Sequence, residues 1–202
     1  MKNPYILILY ASTTGNTKKM AEIISRGVLM VPGVDVCMRT VPTVNELIKG
    51  VEESEKGAVF ATVSELEGAG GLAVGSPTRF GNMASGLQYF LEQTSAVWFK
   101  GGMVGKPFSV FTSSGSMHGG QETTLMNMAV PLLHHGMIQV GIPYTESQLN
   151  ATQSGGSPYG ATHVSGEHAD KKIDKDEHAL LVAQGRRLAK IAKAVIEKEE
   201  VE

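Results

Sequence analysis

The sequence predicts an α/β domain with a doubly wound parallel β-sheet and helices on both of its faces. Continuous apolar runs recur along the chain, and the clearest are Tyr5–Tyr10, Gly71–Pro77 and residues 107–112. Such runs are typical of strands buried on both faces of a parallel sheet. Segments with helical spacing separate these runs, and this alternation indicates strand–helix–strand units. We therefore expect a ligand to bind at the carboxyl ends of the strands.

The first half of the chain follows this alternation element by element. A helix with apolar residues at helical spacing follows the first strand and ends before Pro32. Residues 34–38 alternate between apolar and polar, which is typical of a half-exposed edge strand. Short helices are expected to begin near Val44 and after Thr62, because Thr62 stands three residues before Glu65 as in a capping box.

The second half continues the same pattern. Helical spacing over residues 83–91 precedes the strand at 107–112, and a further helix is expected from Gln121 to about His134. Residues 137–140 predict a fifth strand. The sequence thus predicts five strands, each followed by a helical segment, within one domain of 202 residues.

Residues 143–173 are rich in Gly, Ser and Thr and show no clear period. A loop of this length in a compact domain is usually functional or an insertion at an interface, and both interpretations stay open for this segment. The helix that follows is well marked, because Asp174 and Glu177 have the spacing of a capping box.

The composition excludes several classes of protein. There are 18 Lys and Arg against 20 Asp and Glu, so the net charge is −2 and no basic face for nucleic acid or an anionic membrane is indicated. The single cysteine, Cys37, excludes a disulfide framework and a cysteine-rich metal site, and it favours a reducing, cytoplasmic compartment. No apolar run approaches the about 18 residues of a membrane span.

Three polar or glycine-rich loops, at residues 12–17, 76–82 and 113–119, follow three buried strands and should converge at one edge of the sheet. The first loop combines hydroxyls with backbone N–H groups at a helix start, which suits a phosphate. It lacks the lysine of a loop that binds nucleoside triphosphates, and it lacks the GxGxxG pattern of a dinucleotide-binding loop. A ligand with a single phosphate monoester therefore fits this loop better. The alternative is that its hydroxyls only cap the helix.

These motifs resemble those of the WrbA family of NAD(P)H:quinone oxidoreductases. The first loop is similar to the FMN phosphate loop of flavodoxin-like proteins. The motifs that carry the further resemblance, in the family's order and across nearly the whole chain, are Pro77–Met83, Gly119–Glu122, His134–Met137 and Gly156–Ala161. The resemblance implies a flavodoxin-like fold with the strand order 2-1-3-4-5.

The resemblance also implies that all three loops bind FMN. The implied cofactor-binding residues are Ser12, Thr13, Thr14, Gly15, Asn16, Thr17, Pro77, Thr78, Arg79, Phe80, Gly81, Asn82, Ser113, Ser114, Gly115, Ser116, Met117, His118, Gly119 and His134. Backbone donors of the second loop would stabilise the reduced flavin. The alternatives are a surface ion pair for Arg79, a core position for Phe80 and a solvated His118. The third loop is one residue longer than in common members, and Thr14 stands where some members carry an aromatic residue.

Trp98 and His134 are the catalytic residues that the resemblance implies. Trp98, the only tryptophan, would stack on a nicotinamide or quinone. His134 would point at the flavin and substrate across a subunit contact, where it can hydrogen-bond a quinone oxygen or donate a proton. The alternatives are a core or interface tryptophan and a structural histidine. The adjacent histidines at 134 and 135 do not predict a metal site.

The resemblance implies a homo-oligomeric enzyme, tetrameric in the family, that uses FMN and takes hydride from NADH or NADPH. A quinone then occupies the same place and receives two electrons, in a ping-pong cycle. One alternative is a one-electron carrier of the flavodoxin type, against which the near-neutral charge and the long insertion argue. The other is a regulatory module that binds a protein, which the sequence leaves open.

Overall fold

A central parallel sheet organises the domain in the computed structural model, which describes residues 3–51, 54 and 57–199. Strands and helices alternate along the chain, as predicted. The elements are β1 (Tyr5–Tyr10), α1 (Asn16–Leu29), β2 (Asp35–Thr40), α2 (Val44–Lys49), α3 (Val63–Glu67), β3 (Gly71–Pro77), α4 (Ser85–Glu92), α5 (Ser95–Phe99), β4 (Pro107–Ser114), α6 (Gln121–His134), β5 (Ile138–Gln139), α7 (Gln148–Ala151), β6 (Ala161–Val164) and α8 (Lys175–Glu199).

The strand order is β2-β1-β3-β4-β5, with every pair parallel, which confirms the predicted order and fold class. The fifth position of the sheet is divided between two short strands. β5 pairs with the start of β4 at Pro107 and Phe108, whereas β6 pairs with its end from Phe111 to Ser114. The chain therefore leaves the sheet edge after β5 and returns to the same edge at β6.

This division corrects two expectations. The fifth strand was predicted over residues 137–140, but only Ile138 and Gln139 pair as a strand. The segment 143–173 was expected to lack regular structure, yet it holds the short helix α7 and the buried strand β6. A four-residue strand between glycines and serines has too few residues to show a period, and its pairing partner lies far away in the chain.

The two faces of the sheet carry separate cores, because successive residues of a strand point to opposite faces. On one face, Leu7 and Leu72 pack with α4 and α6 through residues such as Leu87. On the other face, Ile8 and Phe111 pack with α1 and α8. These side chains are fully buried, so both faces are covered as the continuous apolar runs indicated.

Helices α1 and α8 approach each other closely through two glycines. A Cβ atom on Gly27 would overlap the backbone carbonyl oxygen of Val182, and one on Gly185 would overlap that of Ile24. Backbone-to-backbone packing of this kind leaves no room for a side chain. The contact fixes α1, whose first turn lies at the candidate site, against the longest helix of the domain.

Helix ends follow the sequence signals. Thr62 and Glu65 form a reciprocal capping box at the start of α3, as predicted. At the start of α8, Asp174 Oδ1 accepts from the Glu177 N–H at 2.9 Å, and a Glu177 carboxylate oxygen accepts from the Asp174 N–H at 3.1 Å. The predicted box at Asp174 and Glu177 is thus confirmed.

The Gly185→Ala variant is expected to be less stable than the wild type by about 2 kcal/mol, because overpacking at the Ile24 carbonyl outweighs the about 1 kcal/mol that alanine gains in a helix. Urea unfolding followed by circular dichroism measures this difference. Lys190→Ala on the exposed side of α8 is the matched control and should change stability little. A Gly185→Ala variant more stable than the wild type would contradict the close-packing interpretation.

Candidate functional site

The first loop leaves an open helix N-terminus at the carboxyl end of β1. Gly15 is the N-cap of α1 with φ +93°, a conformation that favours glycine, and no atom lies within 4 Å of where its Cβ would be. The N–H groups of a first helical turn have no acceptor within the helix. The Ser12 hydroxyl accepts from the Lys18 N–H at 3.3 Å. The loop can therefore receive an anion at its open side.

Two residues of this loop point into the fold. Asn16 is 2% exposed and donates from Nδ2 to the Ala169 carbonyl at 2.8 Å. Thr17 is 1% exposed, and its hydroxyl lies 3.1 Å from that of Ser113 on β4. The side chains of Asn16 and Thr17 anchor the loop to Ala169 and Ser113, whereas Thr13 and Thr14 are exposed at the open side of the loop.

The second loop is a tight reverse turn. Arg79 and Asn82 exchange both backbone hydrogen bonds, at 2.8 and 3.0 Å, around Phe80 and Gly81. Both central residues have positive φ, 54° for Phe80 and 80° for Gly81, which is the signature of a type I′ turn. An aromatic residue in this conformation is strained, and such strain clusters at binding sites. Phe80 is fully exposed and therefore not a core aromatic.

Arg79 joins the second loop to the first. Its guanidinium donates to the Thr13 hydroxyl at 3.0 Å and to the Thr78 carbonyl at 2.8 Å. Both of these hydrogen-bond partners are neutral oxygens. Among residues 3–51, 54 and 57–199, no carboxylate forms an ion pair with Arg79. These two bonds hold the guanidinium beside the first loop.

The third loop begins later than the sequence indicated. Ser113 and Ser114 are the last two residues of β4 and are buried. The Ser114 hydroxyl donates to the Ser116 carbonyl at 2.8 Å and so stabilises the start of the loop. Residues 115–118 are exposed, and His118 has φ +55°. The structure places His118 on the exposed side of this loop.

Three further residues belong to this region and were not among the predicted site residues: Gly120, Gln121 and Thr124. A Cβ on Gly120 would lie 3.2 Å from Gly81 Cα and 3.4 Å from the Thr78 hydroxyl oxygen, so a side chain here would crowd the second loop. The Thr124 hydroxyl lies 2.9 Å from that of Thr78. Gly120 and Gln121 lie in the motif Gly119–Glu122, which is part of the family resemblance. The resemblance did not assign a role to either residue.

Gln121 has an unsatisfied buried acceptor next to the third loop. It is 6% exposed, and its Nε2 donates to the Ser116 carbonyl at 3.1 Å. Its Oε1 is buried and has no hydrogen-bond partner among the described residues. A buried acceptor without a donor is costly, which points to a hydroxyl or N–H donor from a ligand or a water molecule.

Trp98 and His134 lie at the other end of the domain from the three loops. α6 begins beside the third loop at Gln121 and has 14 residues, so His134 at its last turn is about 20 Å away. The Trp98 indole N–H donates to the His134 carbonyl at 2.9 Å, which places Trp98 at the same end. One copy of the chain therefore does not bring these two residues to its own loops.

A cavity of about 560 Å³ lies between α4, α5 and α6 at this end and is lined by Trp98, His134 and His135. A second cavity of about 780 Å³ lies behind the second loop, against α2. Gln88 and Asn127 line both cavities. The two cavities therefore lie next to each other at Gln88 of α4 and Asn127 of α6.

Exposed apolar side chains lie on α5 and α6, the helices that line the cavity at Trp98. Met126, Val130 and Leu133 recur at helical spacing on the outer side of α6 and are exposed, and Trp98 and Phe99 extend the surface on α5. Phe99 is 85% exposed and meets Trp98 edge to face at 5.5 Å. Contiguous apolar surfaces of this kind mark contacts with other molecules.

A buried carboxylate holds the strand that flanks the third loop. Glu177 on α8 is 1% exposed and accepts five hydrogen bonds. The donors are the Ser154 hydroxyl, His163 Nδ1, and the N–H groups of Gly155, Val164 and Asp174. Burial alone would raise the pKa of Glu177, but the bond from His163 and the other donors outweigh burial and lower it from 4.5 to about 2.

His163 connects this carboxylate to the site. It is fully buried on β6, directly opposite Ser113 in the register with β4. Ser113 in turn lies beside Thr17 of the first loop. Glu177 and its five donors therefore fix the position of the first loop through His163 and Ser113, which lie on neighbouring strands.

Residues 3–51, 54 and 57–199 contain no group of three or more His, Cys, Asp or Glu side chains that could hold a metal ion. Among the helices of the same described ranges, none is both long enough and apolar enough to cross a membrane.

Comparison with known proteins agrees with this geometry. Residues 4–148 match the family model described as NADPH-dependent FMN reductase. The chain is 41% identical over 197 residues to a protein of Solidesulfovibrio magneticus named NAD(P)H dehydrogenase (quinone), and the match covers 93% of this chain and 97% of that protein.

Solved structures show the same fold. A flavodoxin, WrbA-like protein from Agrobacterium tumefaciens is similar with a TM-score of 0.68 at 21% identity, and the match covers 95% of this chain and 98% of the other. A flavodoxin from the domain Archaea is similar with a TM-score of 0.61 at 22% identity, covering 94% and 99%.

Glu177→Gln is expected to lower the free energy of unfolding by about 3 kcal/mol at pH 7, because it removes the charge that five donors stabilise. A carboxyl with a depressed folded-state pKa adds stability above its ordinary value, and this contribution is lost as pH falls toward about 2. The difference between wild type and variant should therefore shrink below pH 4.5 in urea titrations.

The control is Glu197→Gln, an exposed carboxylate on the same helix, which should change stability little at any pH. A Glu177→Gln variant as stable as the wild type at pH 7 would contradict the role assigned to this carboxylate.

Proposed function

The chain belongs to the NADPH-dependent FMN reductase family, and from this premise we propose that it is an FMN-dependent NAD(P)H:quinone oxidoreductase. The family membership confirms the resemblance seen in the sequence motifs. The single observation that carries the proposal is the open N-terminus of α1 at Gly15, where two further loops converge.

The residues present fit the phosphate of FMN. The first turn of α1 offers backbone N–H groups, and Thr13 and Thr14 offer exposed hydroxyls around an uncrowded glycine. The Arg79 guanidinium, held by Thr13, adds a positive charge beside the loop. A phosphate monoester would thus gain hydrogen bonds and charge neutralisation without a lysine.

The residues also fit the rest of FMN. Gln121 Oε1 is a buried acceptor that a ribityl hydroxyl could satisfy. Gly81 and Gly120 lie against each other without side chains, so the second loop packs closely against the N-cap of α6 there. N–H groups of the second loop would face the pyrimidine edge of the flavin and stabilise negative charge on it.

The chemistry that FMN supplies when bound is acceptance of hydride from NAD(P)H and two-electron reduction of a quinone. The chain's own residues bind and orient the reactants. Trp98 offers a half-exposed aromatic face for a nicotinamide or quinone ring. His134 offers an imidazole at the same corner that can hydrogen-bond or protonate a quinone oxygen. The ping-pong order is part of this proposal.

A second copy of the chain completes the site in this proposal. Because Trp98 and His134 lie about 20 Å from the loops of their own copy, they would act at the loops of a partner. The apolar surface of Met126, Val130 and Leu133 supports such packing, and the insertion 143–173 presents exposed Tyr144 and Tyr159 as a further contact. We propose a cytoplasmic homo-oligomer, with the tetramer of the family as its form.

Purified protein supplemented with FMN is expected to oxidise NADH or NADPH when benzoquinone is supplied, as followed by nicotinamide absorbance. Stoichiometric hydroquinone formation would support two-electron transfer. Flavin binding without NAD(P)H oxidation would favour a one-electron carrier instead. Failure to bind FMN would defeat both redox functions.

Trp98→Ala is expected to lower kcat/KM for the quinone roughly five- to tenfold, because a stacked aromatic contact is removed. The FMN dissociation constant should change less than about twofold. Trp98→Phe is the matched variant, since it keeps a ring face and should retain most of the activity. An unchanged kcat/KM in Trp98→Ala would remove Trp98 from the site.

A further inference from the structure

Thr94 and His135 form a buried hydrogen bond at the corner where α5 meets the end of α6. Thr94 is 1% exposed, and its Oγ1 lies 2.9 Å from His135 Nε2. The same hydroxyl donates to the Leu91 carbonyl at 2.6 Å. A hydroxyl has one hydrogen, so toward His135 it acts as an acceptor.

This arrangement fixes the tautomer of His135. Its Nε2 must carry the hydrogen that Thr94 accepts. Its Nδ1 is buried and has no hydrogen-bond partner among the described residues, so the bond to Thr94 is the one side-chain hydrogen bond of His135 found there. Burial lowers the pKa of His135 below its ordinary value of 6.5, which keeps the ring neutral at physiological pH.

A second bond crosses the same corner one helical turn away. The Trp98 indole N–H donates to the His134 carbonyl at 2.9 Å. Thr94 is the N-cap of α5, and the Trp98 N–H donates to the Thr94 carbonyl at 3.0 Å. His134 and His135, the last residue and the C-cap of α6, are thus bonded to Trp98 and to Thr94, which lie one turn apart.

Packing alone does little to hold Trp98. Its side chain is 50% exposed, and its ring neighbour Phe99 is 85% exposed. The neighbouring Val97 is 3% exposed and anchors α5 in the apolar core. The Trp98 bond to the His134 carbonyl and the Thr94 bond to His135 hold α5 at two further points, so together they fix how the helix is rotated about Val97.

We propose that Thr94 and His135 are a positioning pair that fixes the orientation of Trp98 and His134 toward the substrate. The catalytic part of this inference rests on the proposed function, whereas the structural part does not. Neither residue needs to touch the substrate, since both act through the geometry of the corner.

The test uses the full-length protein, with and without FMN, and the fluorescence of Trp98, which is the only tryptophan of the chain. Thr94→Val removes the hydroxyl while keeping a similar shape. We expect acrylamide quenching of Trp98 to rise about twofold and its anisotropy to fall, because the indole gains mobility. Thr94→Ser keeps the hydroxyl and should behave like the wild type.

Kinetics provide the second measurement. Thr94→Val should raise KM for the quinone about fivefold, while the FMN dissociation constant stays within about twofold because the FMN loops of the same copy lie at the other end of the domain. His135→Leu should behave like Thr94→Val. His135→Gln, whose amide can donate to Thr94, should recover the wild-type values.

Fluorescence and KM unchanged from the wild type in both Thr94→Val and His135→Leu would overturn the proposal. If circular dichroism shows that Thr94→Val does not fold, the comparison of His135→Leu with His135→Gln decides in its place. A wild-type protein without NAD(P)H oxidation would defeat the proposed function, yet the fluorescence comparison would still test the pair on its own.

Discussion

The carboxylate of Glu177 is the interaction on which the loop end of the domain depends. A buried anion is tolerated only when donors surround it, and five donors from three separate segments meet this one. The insertion, β6 and the first turn of α8 are therefore positioned by a single group. A chain that lost it would keep its central strands but lose the piece of sheet edge beside the third loop.

A short series of contacts connects the Glu177 carboxylate to the candidate site. His163 lies opposite Ser113, and Ser113 lies beside Thr17 at the start of α1. The glycine contact between α1 and α8 holds the same helix from its other side. Because the helix is fixed before any anion arrives, little conformational entropy is lost on binding.

Local signals made most of the fold predictable from the sequence. Tyr5–Tyr10 and Gly71–Pro77 are continuous apolar runs, and their bounds were predicted correctly. The capping box of Asp174 and Glu177 spans four residues and needs no tertiary information. By contrast, the strand β6 escaped detection because its four residues are too few to show a period.

The candidate site was predictable in part for the same reason. Its loops follow buried strands, but the side-chain roles of Gln121, Thr94 and His135 arise only where separate elements meet. The distance of His134 from the loops could have been inferred, because a helix that follows a strand in a parallel sheet runs back toward the strand's beginning. The resemblance implied that His134 acts across a subunit contact, and the length of α6 gives the physical reason.

The divided fifth strand has a consequence for how this fold can change. The chain leaves the sheet opposite Phe108 and returns opposite Phe111, so the two ends of the insertion are held about 10 Å apart by β4. With both ends anchored, doubling the length between them would cost only about 0.6 kcal/mol of closure entropy. A change of length that keeps Ser154 and Gly155 against Glu177 would therefore leave the register of the strands that carry the loops unchanged.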